Sequence, residues 1–459
     1  MDNSRRGRPA PGHLRVMTQP DRETHGTQPP FSQVNSDLPS LPTGPVGPPG
    51  PPAGPSRPPG AGPERPPAVR CPGSTADVSV RGPAELADAL PYLIGFYPDD
   101  SIVAVALHGE RGRFGGRLRV GIPETEKERQ LIAPQIAECL EVSSLAHGSR
   151  PDGALVFFCK EPAAGAGGKD VMEELRPMAQ EIRRACGELN MPVYELLCLS
   201  DGRYYSYCCP DSHCCGPDGM PLAEPGTSAM AAAAAYAGIR VHGSLREMEK
   251  RLIALGPPFA DEQARALDAA GSALTHRLLT PDGRCRVREE TLALAERLME
   301  RFHRHAPATT AETACDAHDD GLLSHDEAAV MILGLQDRNT RDRAAAWMEG
   351  LDVRPALRLW RALCRRCVGP YADHAAAVLT LAGWVAWSGG DAPTARIALG
   401  RALRTDPDYR FAQLLHQACN EGLDPELLRQ CLRRGRGAPR DAEPGEGPSS
   451  SGAAGEGLP

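Results

Sequence analysis

The chain has 459 residues, with 51 basic side chains against 59 acidic ones and a formal net charge of −8. This mild acidity argues against a nucleic-acid partner, because proteins that bind nucleic acid carry a basic stripe that neutralises phosphates. The longest uncharged apolar run covers 375–387 and is shorter than the roughly 18 residues that suggest a membrane span. The first residues contain no apolar signal-peptide core, so we expect a cytoplasmic protein whose 15 cysteines are reduced.

Proline and glycine are concentrated at the two ends of the chain. Residues 1–70 contain 18 Pro and 9 Gly, which exceeds the roughly 25–30% that marks a low-complexity segment. The sequence therefore predicts disordered Pro/Gly-rich tails over 1–72 and 435–459. Between them we expect an α/β domain over 73–225, ending in a Cys-rich loop, and an all-α domain over 226–434.

The first domain begins with a short predicted helix, 84–94, ended by Gly95, because glycine adopts the left-handed C′ conformation at low cost. The unbroken apolar run 102–107 predicts a strand buried on both faces, and the alternating residues 118–122 predict its hairpin partner. Asp201 and Gly202 have the composition of a two-residue hairpin turn. Four further segments alternate between helix and strand, which predicts a mixed sheet: 132–140, 154–159, 171–186 and 193–199.

Strand patterns stop after about residue 222, and helices are expected over most of 226–421. Ser244 with Glu247, and Ser324 with Glu327, have the spacing of capping boxes that begin helices. Small residues between Trp384 and Tyr409 resemble one tetratricopeptide hairpin. Because a solenoid needs about three repeats to bury a continuous core, a single helical hairpin within a bundle is the alternative to a repeat array.

Several short motifs occur in order along the chain: residues 90–101 (LPYLIGFYPDDS), 205–207, 209 with 214–215, 219–221, 341–342 and 384–407. Together they resemble the actinobacterial domain of unknown function (DUF) family 4192, over about 77–425. The family has no established activity. The resemblance therefore implies homology and leaves the function open.

The densest group of chemically reactive residues follows the predicted hairpin, in the sequence YCCPDSHCCGPDG. Thiolate and imidazole are ligands that zinc prefers, so we consider a structural zinc site formed by Cys209, His213, Cys214 and Cys215. No second ligand pair lies at a conventional distance. Buried packing thiols or a redox pair are therefore alternatives for this loop.

Four other patterns have both a chemical and a structural interpretation. Loop 165–170 lies where phosphate loops lie, but it lacks the residues of a Walker A or dinucleotide motif. The C-x-x-C at 364–367 lies in a helical run, where core thiols are expected. The His/Asp residues at 318–320 and 325–326 suggest a metal phosphohydrolase or, instead, helix-capping charges. Asp99 and Asp100 suggest acid/base work or a stabilised turn.

These observations predict an uncharacterised cytoplasmic protein that acts as a protein-interaction or regulatory module without autonomous catalysis. The partner protein would bind through the C-terminal helices, and no specific small molecule is implied. The alternative is a metal-assisted hydrolase of unknown substrate in the α/β domain. That enzyme would use the Cys209 loop with Asp99 or Asp100.

Overall fold

The computed structural model describes residues 80, 82–109, 112–146, 148–209, 216–309 and 311–437. The tail expected over 1–72, and the other tail from residue 438 onward, lie outside these residues. The chain divides into two compact units. The sheet unit comprises the described residues up to Ala89 together with Asp100–Ala237, and the helical unit comprises Leu90–Asp99 together with the described residues from Gly238 onward.

The sheet unit contains a six-stranded mixed sheet, as the sequence predicts. Its strand order is β2-β1-β3-β4-β5-β6, in which only the β3–β4 pair is parallel. The elements are α1 (Pro83–Ile94), β1 (Ser101–His108), β2 (Arg113–Gly121), α2 (Glu126–Ala146), β3 (Gly153–Cys159), α3 (Gly168–Glu188), β4 (Val193–Ser200), β5 (Arg203–Ser206), β6 (Met220–Pro221) and α4 (Ala229–Tyr236). α1 continues past Ala89 into the helical unit.

The central strands β1 and β3 are buried on both faces, which explains their unbroken apolar sequences. Alternate residues of β1, such as Ile102 and Ala104, join one core with the apolar faces of α2 and α3. α3 connects the parallel strands β3 and β4 as a crossover helix. The predicted turn between β4 and β5 is confirmed, because Asp201 and Gly202 have φ values of 55° and 66°.

The helical unit consists almost entirely of helices. They are α5 (Leu245–Lys250), α6 (Phe259–Leu278), α7 (Gly283–Arg304), α8 (Glu312–Gly321), α9 (His325–Gly334), α10 (Arg338–Ala344), α11 (Val353–Arg365), α12 (Ala375–Ser388), α13 (Ala392–Thr405), α14 (Arg410–Asn420) and α15 (Glu426–Gly437). Two 3-10 helices, Gly350–Asp352 and Gly369–His374, separate some of them. Both predicted capping boxes are present, at Ser244 and at Ser324. Within the described ranges, no helix combines the length and apolar composition that a bilayer span needs.

α12 and α13 approach each other closely at Gly383. A Cβ atom built on this glycine would lie 2.5 Å from the Leu399 Cγ atom and 3.3 Å from the Ala395 carbonyl oxygen. The neighbouring Trp384 is fully buried, and its indole N–H donates to the Ala345 carbonyl (2.8 Å). The glycine therefore allows two helices to pack at short range, while the tryptophan fixes α12 on the residues after α10. A tetratricopeptide-like geometry for this pair stays a prediction.

The segment 90–99, which contains most of the first family-like motif, forms backbone hydrogen bonds with residues 242–246 of the helical unit. The His242 N–H donates to the Gly95 carbonyl (2.8 Å), and the Leu245 N–H donates to the Tyr97 carbonyl (2.8 Å). Gly95 has a φ of 89°, so its predicted left-handed conformation is confirmed. Phe96 is buried in the core of the helical unit. This motif therefore stabilises the beginning of α5.

Candidate functional site

The cysteine-rich loop follows β5, and the structure describes its first residues. Of the predicted zinc ligands, His213, Cys214 and Cys215 lie outside the described residues, and Cys209 is half-buried. The Ser206 hydroxyl accepts the backbone N–H groups of Cys208 (3.1 Å) and Cys209 (2.9 Å). The loop therefore begins in a fixed turn held by a β5 side chain.

A carboxyl group lies beside this turn and shapes its electrostatics. The Ser206 hydroxyl donates to the Glu195 Oε1 atom (2.7 Å). Burial raises the pKa of the Glu195 carboxyl, although the bonds from Ser206 and from the Leu196 N–H oppose that shift. Burial also raises the pKa of the Cys208 thiol, and the charge of Glu195 adds to the effect. Because metals bind thiolates, these surroundings favour a neutral Cys208 thiol that packs against its neighbours. Among the four predicted zinc ligands, Cys209 is the one that the structure describes.

Among the residues that the structure describes, no group of three or more His, Cys, Asp or Glu side chains is placed to hold a metal ion. Three of the four predicted zinc ligands are outside that search. The zinc site thus stays a prediction.

The two aspartates before β1 lie in a turn with a structural role. The Asp99 Oδ2 atom accepts the Arg246 N–H (2.8 Å) in the first turn of α5, where a carboxylate is stabilised by the unpaired N–H groups of the helix. Asp100 adopts a left-handed backbone conformation with a φ of 41°, which aspartate tolerates better than most residues. Both positions agree with the turn interpretation, and neither tests acid/base chemistry.

Loop 165–170 places a carboxylate where a phosphate loop would place its ligand. The Asp170 Oδ2 atom accepts the Gly167 N–H (2.8 Å) at the beginning of α3. A carboxylate in this position repels an incoming phosphate and occupies a donor that the phosphate would use. This contact agrees with the sequence argument against a nucleotide loop.

The C-x-x-C motif lies at the end of α11, in the core of the helical unit. Cys364 and Cys367 are both buried. Burial raises the pKa of Cys364 to about 12 and raises that of Cys367 well above its usual value. Thiols with such pKa values form little thiolate at neutral pH. The two cysteines therefore match the core thiols that the sequence predicts.

The His/Asp residues at 318–326 are engaged in ion pairs and hydrogen bonds. Asp319 is buried and pairs with Arg358, whose Nε atom lies 2.9 Å from Asp319 Oδ1. Asp320 pairs with Arg365 (Nη2 to Oδ1, 2.9 Å). The His325 ring lies 3.1 Å from the Gln263 Oε1 atom and 3.1 Å from the Glu262 carboxylate. The aspartates are thus the acidic partners of arginines on α11, a role that the sequence analysis did not predict.

A repeated spacing of charged residues could have revealed this pairing. α11 has arginines at 354, 358, 361 and 365, and α8 has carboxylates at 312, 316, 319 and 320. Residues three or four positions apart lie on the same face of a helix. One face of α11 therefore carries the arginines, and one face of α8 carries the carboxylates.

Comparison with known proteins agrees with the motifs. The family model for the Domain of unknown function (DUF4192) matches residues 83–426, which is most of the described chain. The chain belongs to the DUF4192 family. No curated protein matches the sequence, and no solved structure does. The DUF4192 match begins with α1, continues through both units and ends at the beginning of α15, so the cysteine-rich loop and the α8–α11 ion pairs both lie inside the family's own span.

Proposed function

We propose that this DUF4192 protein is a cytoplasmic protein-interaction module without autonomous catalysis, whose C-terminal helices bind a partner protein. The exposed leucines of α14 and α15 are the main support for this proposal. Leu414 on α14 is 66% exposed and Leu427 on α15 is 76% exposed. Large apolar side chains that face water at the end of a helical array are candidates for contact with another protein.

α13 offers much less surface to a partner. Within Ala392–Thr405 only Arg404 is exposed, because α13 packs between α12 and α14. The contact surface that we propose is therefore on α14 and α15, and we call it the leucine surface, defined by Leu414 and Leu427.

The charge of α15 indicates the chemistry of the partner. Its sequence ELLRQCLRRGRG contains four arginines and one glutamate. Arg429 pairs with Glu426 and Asp424, and Arg433 pairs with Glu426 and Glu349, so the excess positive charge of the helix comes from the arginines at 434 and 436 of its sequence. We expect an acidic amphipathic helix, because its apolar face would cover the leucines and its carboxylates would meet the arginines.

The structural use of the candidate catalytic groups is consistent with a role in binding. Asp99 stabilises the beginning of α5, Asp319 and Asp320 neutralise arginines, and Cys364 is a core thiol. The hydrolase alternative depends on the Cys209 loop, most of which lies outside the described residues. That alternative stays a prediction.

The test compares capture of proteins by the full chain and by the double variant Leu414→Ser/Leu427→Ser. The control is Leu279→Ser, a leucine that is 81% exposed in the same unit. The proposal requires one protein that the wild type and the control capture and the double variant loses. Binding of that purified partner must weaken as salt is added, because the contact includes charges of opposite sign. Equal capture by all three proteins, or binding that is independent of salt, would contradict the proposal.

A further inference from the structure

α2 has large apolar side chains on two opposite faces. Its inner face, which includes Ile132 and Ile136, is buried in the core of the sheet unit. On its outer face Leu131 is 58% exposed, Val142 is 52% exposed and Leu145 is 50% exposed. A surface helix ordinarily carries polar residues on the face that points away from the core. The outer face of α2 therefore departs from the pattern of a helix that has only one packing partner.

The three exposed side chains form one line along α2. Because an α-helix has 3.6 residues per turn, residues 131, 142 and 145 lie within about 60° of one another around its axis, and the line is about 21 Å long. Among the described helices, only α2 has three large apolar side chains that are at least half exposed. Helices that pack side by side contact each other over several turns. We call this line the α2 face, defined by Leu131, Val142 and Leu145, and its length fits a partner helix.

A single carboxylate lies at the middle of the α2 face. Glu138 is exposed and lies about two helical turns from Leu131 and from Leu145. Among the residues that the structure describes, none forms an ion pair or a hydrogen bond with Glu138. The nearby Arg150 is already used, because its Nε atom donates to Glu141 Oε1 (2.9 Å). Water is thus what solvates the Glu138 charge in the isolated chain.

This carboxylate limits the chemistry of a surface that could cover the α2 face. Packing an apolar surface onto the face would remove water from Glu138. A carboxylate that loses its water without gaining a cation is strongly destabilising. The covering surface must therefore bring one positive charge to Glu138, with apolar residues on both sides of that charge.

A second copy of this chain does not meet this requirement. Glu138 lies midway between Leu131 and Leu145, so two α2 helices that pair these leucines place Glu138 against its own copy in either orientation. Like charges at such a contact oppose association. A shift by two turns places Glu138 against a leucine. A longer antiparallel shift brings Lys127 to Glu138 but leaves Val142 and Leu145 beyond the end of the other helix.

We propose that the α2 face binds an amphipathic helix of another protein, one that carries a lysine or an arginine midway along its apolar side. The basic residue would pair with Glu138, and the apolar residues on either side of it would cover Leu131 and Leu145. α2 belongs to the sheet unit, whereas the leucine surface belongs to the helical unit and is proposed to bind an acidic helix. The two proposals concern different partners, and the failure of one does not affect the other.

Two synthetic amphipathic peptides of about five helical turns test this surface by fluorescence anisotropy with the full chain. They differ only at the centre of their leucine face, where one has lysine and the other has glutamate. Wild type should bind the lysine peptide about five-fold more tightly or more, because a pair of opposite charges replaces a pair of like charges. Glu138→Lys should reverse this preference. Equal affinity of wild type for the two peptides, no measurable binding of either, or a preference that Glu138→Lys leaves unchanged would overturn the proposal.

Serine variants locate the bound peptide. Leu131→Ser/Leu145→Ser should weaken binding of the lysine peptide about ten-fold or more, because the apolar area that the peptide buries is lost. Leu414→Ser/Leu427→Ser is the matched control and should leave this binding unchanged, since it alters only the leucine surface. Loss of binding in the control alone would place the peptide on the leucine surface and would refute the α2 face.

Thermal melting and sedimentation velocity check the two remaining alternatives. Leu131→Ser/Leu145→Ser should melt close to the wild-type temperature, because substitutions of exposed side chains change stability little. Should that variant not fold, the reversal of preference by Glu138→Lys decides the proposal. A dimer of the full chain that Leu131→Ser/Leu145→Ser dissociates would show that α2 binds a second copy, and it would overturn our choice of partner.

Discussion

Replacement of Gly95 by alanine tests how the segment 90–99 is held in the helical unit. Gly95 follows α1 with a φ of 89°, and a Cβ atom on it would lie 2.4 Å from the Pro393 Cγ atom at the beginning of α13. An ordinary contact of a Cβ atom is 3.4–4 Å. The alanine variant would therefore combine an unfavourable backbone conformation with an overlap of side chains.

The two contributions can be estimated separately. A left-handed conformation costs a residue with a Cβ atom about 1–2 kcal/mol. Overpacking costs about 1–3 kcal/mol in a close-packed core, and the Pro393 ring is too rigid to move far. We expect Gly95→Ala to lower the free energy of unfolding of the helical unit by about 2–5 kcal/mol.

Gly390→Ala is the matched control, because Gly390 has a φ of 84° and its Cβ atom would meet nothing within 4 Å. It should lose only the backbone contribution, about 1–2 kcal/mol. Urea unfolding followed by tryptophan fluorescence measures both variants, since all four tryptophans, at 347, 360, 384 and 387, lie in the helical unit. Equal losses for the two alanine variants would refute the steric contribution of Pro393.

Three further predictions concern charge and metal. Asp319→Asn should lower the free energy of unfolding by about 3 kcal/mol, because it leaves the Arg358 guanidinium without its anionic partner; urea unfolding measures this loss, and an unchanged midpoint would contradict it. The raised pKa of the Glu195 carboxyl means that its protonated form stabilises the folded state at low pH, and that this contribution to the free energy of unfolding is lost as the pH rises through that pKa. The stability of Glu195→Gln relative to wild type should therefore increase as the pH of the thermal melts rises from 4 to 7. A difference between the two proteins that does not change with pH would refute the assignment. For the predicted zinc site, elemental analysis of protein purified under reducing conditions should give about one zinc per chain, and Cys209→Ser and Cys214→Ser should lose that zinc. Wild-type protein without metal, together with unchanged melting temperatures of the two variants, would show that the cysteines are packing thiols.

The sheet could be read from the sequence because its strands are defined by local patterns. The runs 102–107 and 154–159 are continuously apolar, and β1 and β3 are buried on both faces. The Asp201-Gly202 turn and the capping boxes at Ser244 and Ser324 depend on residues close in sequence. Such features are decided within a few residues, so the amino-acid order alone predicts them.

The C-terminal boundary of the helices was predicted less well. α15 continues to Gly437, so residues 435–437 are helical although the sequence predicts a tail from residue 435. Leu428 and Leu432 pack against the core of the helical unit. This tertiary packing extends a helix through glycines that local propensity would place in a loop.

The sequence by itself determined the order of helices and strands in the sheet unit and which residues are apolar enough to be core. It did not determine the bounds of the elements, since α2 begins at Glu126 and β2 at Arg113, ahead of the predicted 132 and 118. Only the tertiary structure decided how the charged residues pair, because Arg251, Asp316 and Arg361 are far apart in the chain and meet through the packing of α5, α8 and α11. Arg365 on α11 also lies 3.4 Å from the Asp316 carboxylate that Arg251 binds. Such sharing of one carboxylate depends on distances in space, which the order of residues does not give.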